Sequence, residues 1–220
     1  MTLRVTMLCA TGAEVSDDLV IGDGALSDRG RRQVKATEHL LPPYSLALRA
    51  PSARCARAAR ALAVPATPEK ALRDLDYGGW YGRPRKDIVA EDPYGFSAWL
   101  TDPGAAPHGG ESVARLCRRT AEWLSSLPAD AARILTITEA AVIQAALVHV
   151  LSASARDFWH LGVPPPAVTL TMRDGCWNAR LGLMAIPQQQ QSADGSASLM
   201  ALTRQATTGR YPPLLFRPGC

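Results

Sequence analysis

A chain of 220 residues, 47% hydrophobic and 20% charged, can bury a sizeable core and fits one large domain or a domain with a tail. Its formal net charge is +4, and the basic excess gathers between Arg29 and Arg60, too small and local, with too few aromatics among it, for a nucleic-acid surface. The five cysteines are odd in number with no CxxC pair, no apolar run reaches the roughly 18 residues of a membrane span, and Met1-Thr2-Leu3-Arg4 carries no leader pattern; these features argue against a disulfide framework, a zinc site and a membrane, and for the cytoplasm.

The apolar, β-branched run Leu3 to Cys9 predicts a buried strand, and Ala10-Thr11-Gly12 the turn leaving it. Ser27 is placed to cap a helix from Asp28 to about Leu41, with Asp28 suiting its positive end and Pro42-Pro43 stopping it. Tyr44 to Arg49 is a second strand, and Pro51 opens an Arg- and Ala-rich helix to about Ala63. Asp74 to Gly82 is rich in glycine and aromatics. Residues 85–101 predict two short helices broken at Pro93, and Pro107-His108-Gly109-Gly110-Glu111-Ser112 leads into an amphipathic helix ending near Leu127. Arg133 to Thr138 is a third buried strand, Glu139 to Leu151 a helix directly after it, and Ser154 to Leu161 a short helix. Val168 to Met172 and Trp177 to Leu183 flank Arg173-Asp174-Gly175 as a hairpin. Residues 1–186 then form one domain, 187–198 a Gln/Ser-rich linker and 199–220 a tail whose Tyr211 to Phe216 could dock on the domain or a partner. Strands separated by helices imply an α/β fold with a mostly parallel central sheet and helices on both faces, and the strands from Leu3 and Arg133 should be neighbours or nearly so.

Catalytic groups in open α/β sheets gather beyond the carboxyl ends of the strands. Four stretches fall there: Ala10-Thr11-Gly12, Arg49 to Arg54, Asp74 to Gly82, and Thr138-Glu139-Ala140. Together with Leu26-Ser27-Asp28-Arg29-Gly30 and Gly109-Gly110-Glu111-Ser112, their order and spacing resemble the histidine phosphatase (phosphoglycerate mutase-like) superfamily over residues 3 to about 184. Ala50-Pro51-Ser52-Ala53-Arg54-Cys55-Ala56 is similar to that family's Arg-bearing helix entry. Leu72-Arg73-Asp74-Leu75-Asp76-Tyr77-Gly78-Gly79-Trp80-Tyr81-Gly82 is similar to its acid motif.

The resemblance implies a histidine that attacks phosphorus, with two arginines and a second histidine holding the phosphoryl oxygens. By that alignment Thr11 stands at the nucleophile, Ala10 at the first arginine and Glu139 at the second histidine. Arg54 remains, and Asp74 replaces the usual Glu proton donor. One arginine lost and one carboxylate gained move the pocket about two charge units negative, which opposes a phosphate dianion. A threonine hydroxyl needs an adjacent base before it can attack, so Thr11 is better read as a strand-end residue.

These residues carry two principal expectations. In the first, a repurposed protein that is not a phosphomonoesterase binds a small phosphorylated or sulfated metabolite through Arg54, with Thr11, Gly12 and His108 lining the site. Glu139 or Asp74 then supplies acid/base chemistry for elimination, isomerisation or intramolecular displacement of the ester. In the second, a non-catalytic pseudo-phosphatase binds a ligand or stabilises a protein partner or a homodimer; a residual phosphatase is a third. The bland alternatives stay open: Glu139 as a helix N-terminal acid, Asp76 in place of Asp74, Arg54 paired with one of these acids, His108 as a surface loop residue. No metal or other cofactor is expected, and neither nucleic acid nor membrane is an expected partner.

Overall fold

The computed structural model describes residues 2–10, 21–22, 26, 28–128, 133–161 and 167–181. Among the described residues six strands form one sheet in the order β3-β2-β4-β1-β5-β6. β1 (Thr2–Cys9) runs near its centre, parallel to β4 (Arg133–Thr138) with Val5 opposite Ile134 and Cys9 opposite Thr138. β2 (Leu46–Arg49) pairs in parallel with β4 on one side and with the two-residue β3 (Thr67–Pro68) on the other. β5 (Ala167–Arg173) lies antiparallel to β1, and β6 (Cys176–Leu181) returns along it through a two-residue turn at Asp174 and Gly175. The expected neighbouring of the first strand and the strand from Arg133 is therefore direct pairing.

Burial is nearly continuous along β4 and the second half of β1, threonines included, which suits a sheet covered on both faces. Val5, Met7, Leu135, Ile137, Val168 and Leu170 are essentially inaccessible to solvent. Helix α6 (Ala140–Val150) is apolar almost all round and nearly all buried, packed against α5 (Val113–Ser126) and the sheet. Helices α1 (Asp28–Ala36) and α2 (Ala53–Ala61) pack on each other. α3 (Arg85–Glu91) and α4 (Pro93–Thr101) are the two short helices divided at Pro93, with Asp92 capping α4 by accepting from Gly95 N–H at 2.8 Å.

Differences from the sequence expectations are local. The first helix ends at Ala36, and Glu38–Leu40 is a separate 3-10 turn before the Pro42-Pro43 stop. The second strand starts at Leu46 rather than Tyr44, and Ala155–Leu161 is a 3-10 helix. β3 was not anticipated: it is too short to leave a pattern, and Pro68 is tolerated because the strand lies at the sheet edge. Cys9, Cys55 and Cys117 are buried. No helix among the described residues is long and apolar enough to cross a membrane. The Ser27 cap, the linker and the tail with Tyr211 to Phe216 lie outside the described residues.

Leu135 is fully buried in the middle of β4 between β1 and β2. Leu135→Ala should lower the unfolding free energy by about 2–5 kcal/mol, read from the urea midpoint with an unchanged m-value.

Candidate functional site

The carboxyl ends of β1, β2 and β4 end together. Ala10 N–H donates to Thr138 carbonyl at 2.8 Å, and Ala50 N–H to Ile137 carbonyl at 2.8 Å. Two helices start from this edge. Ser52 caps α2, its Oγ accepting from Cys55 N–H at 3.1 Å, and Arg54 follows in the first turn. Glu139 stands at the N-cap of α6 in an extended backbone conformation, yet its side chain does not cap its own helix. It crosses to α2 instead. Its Oε1 accepts from Ser52 Oγ at 2.9 Å and from Cys55 Sγ at 3.3 Å, and its Oε2 lies 3.3 Å from Arg54 Nε. The Arg54 and Glu139 side chains are 10% and 3% exposed. Arg54 also donates through Nη2 to the Gly22 carbonyl at 2.8 Å. The carboxylate thus sits by the positive ends of two helices and an arginine, the setting in which a buried negative charge is best compensated.

That carboxylate controls its neighbours. Burial, and then the Glu139 charge, push the Cys55 thiol far above its ordinary range, so Cys55 is a donor here and not a nucleophile. Tyr77 is held protonated in the same way: burial raises its phenol well above its usual value, the carboxylates of Asp74 and Glu139 add to that, and Arg54 opposes it. Tyr77 therefore shares one electrostatic neighbourhood with Asp74, Glu139 and Arg54. Nothing in the sequence singles Tyr77 out, although it lies inside the Asp74 to Gly82 stretch.

Asp74 is half-buried, with Oδ1 accepting from Leu75 N–H at 2.8 Å. Asp76 is exposed and turns back on its own loop, accepting from Gly78 N–H at 2.9 Å. The loops carrying these acids are sewn backbone to backbone to the Gly109-Gly110-Glu111-Ser112 loop. Gly79 N–H donates to His108 carbonyl and Glu111 N–H to Asp76 carbonyl, each at 2.8 Å. A Cβ on Gly78 would come within 2.1 Å of the His108 carbonyl, and one on Gly110 within 2.1 Å of the Asp76 carbonyl, so this approach requires glycine at both places. Beneath it Glu111, 5% exposed, forms a two-point pair with Arg119: Nε to Oε1 at 3.0 Å and Nη2 to Oε2 at 2.8 Å. Arg119 donates onward to the carbonyls of Ala71, Arg73 and Asp74, fixing the acid-bearing segment. Arg119 lies mid-helix with nothing in the sequence to mark it.

His108 is neither at a pocket mouth nor on the surface. It is 5% exposed, inside a box of Trp80, Trp99 and Tyr77 with ring centroids 5.1, 6.2 and 6.4 Å away. Its Nδ1 accepts from Gly110 N–H at 3.0 Å, and burial lowers its basicity, so the neutral ring carries its proton on Nε2. Those aromatic side chains collapse onto the loop, which is why an apparently exposed sequence position became interior. Thr11 and Gly12 lie outside the described residues. Among the described residues no cluster of three or more His, Cys, Asp or Glu could hold a metal ion.

A profile of the histidine phosphatase superfamily (branch 1) matches residues 21–181. The chain belongs to the histidine phosphatase superfamily. It is 28% identical over 163 residues to the adenosylcobalamin/alpha-ribazole phosphatase of Salmonella typhimurium, covering 70% of this chain and 76% of that protein. It is 24% identical over 149 residues to phosphoserine phosphatase 1 of Hydrogenobacter thermophilus, covering 64% and 71%. The solved structure of the alpha-ribazole phosphatase from Shigella flexneri superposes with a TM-score of 0.63 at 23% identity over 81% of this chain and 90% of that one. A mycobacterial glucosyl-3-phosphoglycerate phosphatase gives 0.67 at 20% identity over 84% and 99%. These last two establish the shared fold. Arg54 and Glu139 stand at the starts of α2 and α6, and both act with Asp74 on the buried Tyr77.

Neutral His108 makes stability depend on pH. Its folded-state basicity is depressed below the ordinary value of 6.5, so protons bind the unfolded chain first on acidification. Its contribution is whole above that value and is lost as pH falls below it; His149, depressed by burial, acts in the same direction. The melting temperature should therefore fall between about pH 7 and pH 5, and His108→Gln should flatten that slope.

Proposed function

We propose that this chain is a repurposed histidine-phosphatase-like protein that does not hydrolyse phosphomonoesters, and that its cleft binds rather than transfers phosphoryl groups. The observation that carries this is the Arg54–Glu139 pair. Arg54 aligns with an arginine that, by the family resemblance, holds phosphoryl oxygens, and here it faces an internal carboxylate that Ser52 and Cys55 anchor from the other side. Phosphoryl transfer needs positive groups aimed at developing negative charge, and a guanidinium compensated inside the protein supplies little of that. The same alignment places Thr11 and Ala10, neither a histidine nor an arginine, at the nucleophile and the first arginine. A non-catalytic pseudo-phosphatase that binds a small oxyanion-bearing metabolite, or steadies a partner protein, fits this charge balance.

One observation favours a second reading, acid/base chemistry on such a ligand. Asp74, Tyr77 and Glu139 are three titratable groups in one electrostatic neighbourhood with Arg54. Under that reading Asp74 or Glu139 moves a proton on the bound ligand and Arg54 holds its ester.

Purified protein should show no turnover of 4-nitrophenyl phosphate across the pH range and no acid-labile phospho-enzyme. Turnover lost in Arg54→Ala would refute the proposal. Glu139→Ala removes the carboxylate beside a buried arginine and should cost roughly 3–5 kcal/mol in urea unfolding, partly restored by inorganic phosphate. A variant as stable as wild type would show that the pair is not the organising charge of the cleft. Tyr77→Phe, folded but altering any ligand-dependent proton release, would favour the second reading.

A further inference from the structure

Arg4, Arg133, Arg173 and Arg180 share one face of the sheet. Arg4 on β1 stands directly opposite Arg133 on β4 and Thr171 on β5, and Thr171 stands opposite Asn178 on β6. Arg173 pairs with Thr2 in the row on one side, and Thr169 pairs with Thr6 and Arg180 in the row on the other. Residues paired across strands project to the same side, as do residues two apart along a strand. The reverse side carries buried Leu3, Val5, Ile134, Leu170 and Ala179, and α6 lies over it, with His149 against Trp177. Burial accordingly alternates from Thr2 to Val5, the mark of a strand that is apolar on one side only.

Arg133, Arg173 and Arg180 are exposed and Arg4 is half-buried. Among the described residues no ion pair or hydrogen bond holds any of the four guanidinium groups. Residues 2–9, 133–138 and 167–181 contain these four arginines and one acid, Asp174 at the hairpin turn, a balance of four minus one, or +3. A charge on an edge strand deters unwanted pairing, which is reason enough for Arg180 on β6. Arg4 and Arg133 lie on interior strands with no edge to protect, and like charges directly opposite each other cost stability. The backbone at Arg133 is pinned, its carbonyl accepting from Ser45 N–H and Ser45 Oγ, each at 2.9 Å.

We propose that this arginine, threonine and asparagine face docks an acidic peptide segment of a partner protein. The guanidinium forks would take its carboxylates in pairs, and Thr169, Thr171 and Asn178 would meet its main chain. Residues 182–220 do not supply the missing charge, since they hold Arg204, Arg210 and Arg217 against Asp194. A second copy bringing the same face would repel it. The face presents no aromatic ring for base stacking and no exposed large apolar side chain for lipid, because Leu181 projects to the reverse side with Val168. The proposal is independent of what the cleft at Arg54 and Glu139 binds.

The test uses the full chain and a fluorescein-labelled oligo-glutamate peptide of about eight residues, long enough when extended to cross four strands, with binding read by fluorescence anisotropy at low ionic strength. Arg173→Glu/Arg180→Glu reverses two exposed charges on the face. Arg115→Glu/Arg118→Glu makes the same change in net charge at exposed positions of α5, which packs with α6 on the other side of the sheet. Circular dichroism and melting temperature establish that both variants fold. The peptide should bind wild type and be released by added salt; its affinity should fall by about tenfold or more in the first variant and by less than about twofold in the second. Arg133→Gln, at a third exposed position on the face, should give an intermediate loss. Failure of the peptide to bind wild type overturns the proposal, as do equal losses in the two double variants, which would report net charge alone. Tighter binding to phosphatidylserine vesicles or to a single-stranded oligonucleotide than to the peptide, at matched ionic strength, overturns it as well.

Discussion

A buried carboxylate organises the carboxyl edge of this sheet. Glu139 could have capped its own helix, as its position invites, but it reaches across to the first turn of the neighbouring one. By doing so it joins β4 and α6 to α2, holds Ser52 and Arg54 in place, and adds to the burial that silences Cys55 as a nucleophile. Removing such a charge from water is costly, and the cost is met by a guanidinium, a hydroxyl and a thiol, together with the positive ends of two helices. Groups that meet the carboxylate's needs are turned away from a ligand's phosphate.

Much of the fold was legible because it depends on burial. The runs Leu3 to Cys9, Arg133 to Thr138 and Val168 to Met172 are apolar and β-branched, and each became a strand in the sheet. Pro51, Pro93 and the loop ending at Ser112 marked helix starts through backbone chemistry that acts locally. β3 escaped notice because two residues carry no period, and its place is set by β2 rather than by its own composition.

The site was legible in outline and not in its connections. The motif order led one to expect Arg54, Asp74 and Glu139 near one cleft, and left open whether Arg54 faced a ligand or an acid. That choice turned on a distance, 3.3 Å across two helix starts, which no spacing along the chain encodes. Arg119 illustrates the limit further: one of several arginines on an amphipathic helix, it alone turns inward to Glu111 and to three carbonyls near Asp74. His108 looked solvent-facing because glycines and a proline surround it, while the aromatic rings that enclose it come from other segments.

The seam between the Asp74 to Gly82 stretch and the Gly109-Gly110 loop has a consequence for how such a cleft can change its occupant. It is fastened through main-chain atoms, with glycine wherever the two backbones touch, and it is braced from behind by Glu111 and Arg119. Side chains that face the cleft carry none of that fastening. They can be exchanged one at a time while the mount that holds them keeps its shape. Scaffold and cleft-facing side chains are mechanically separate here, so the backbone mount does not depend on which side chains it carries.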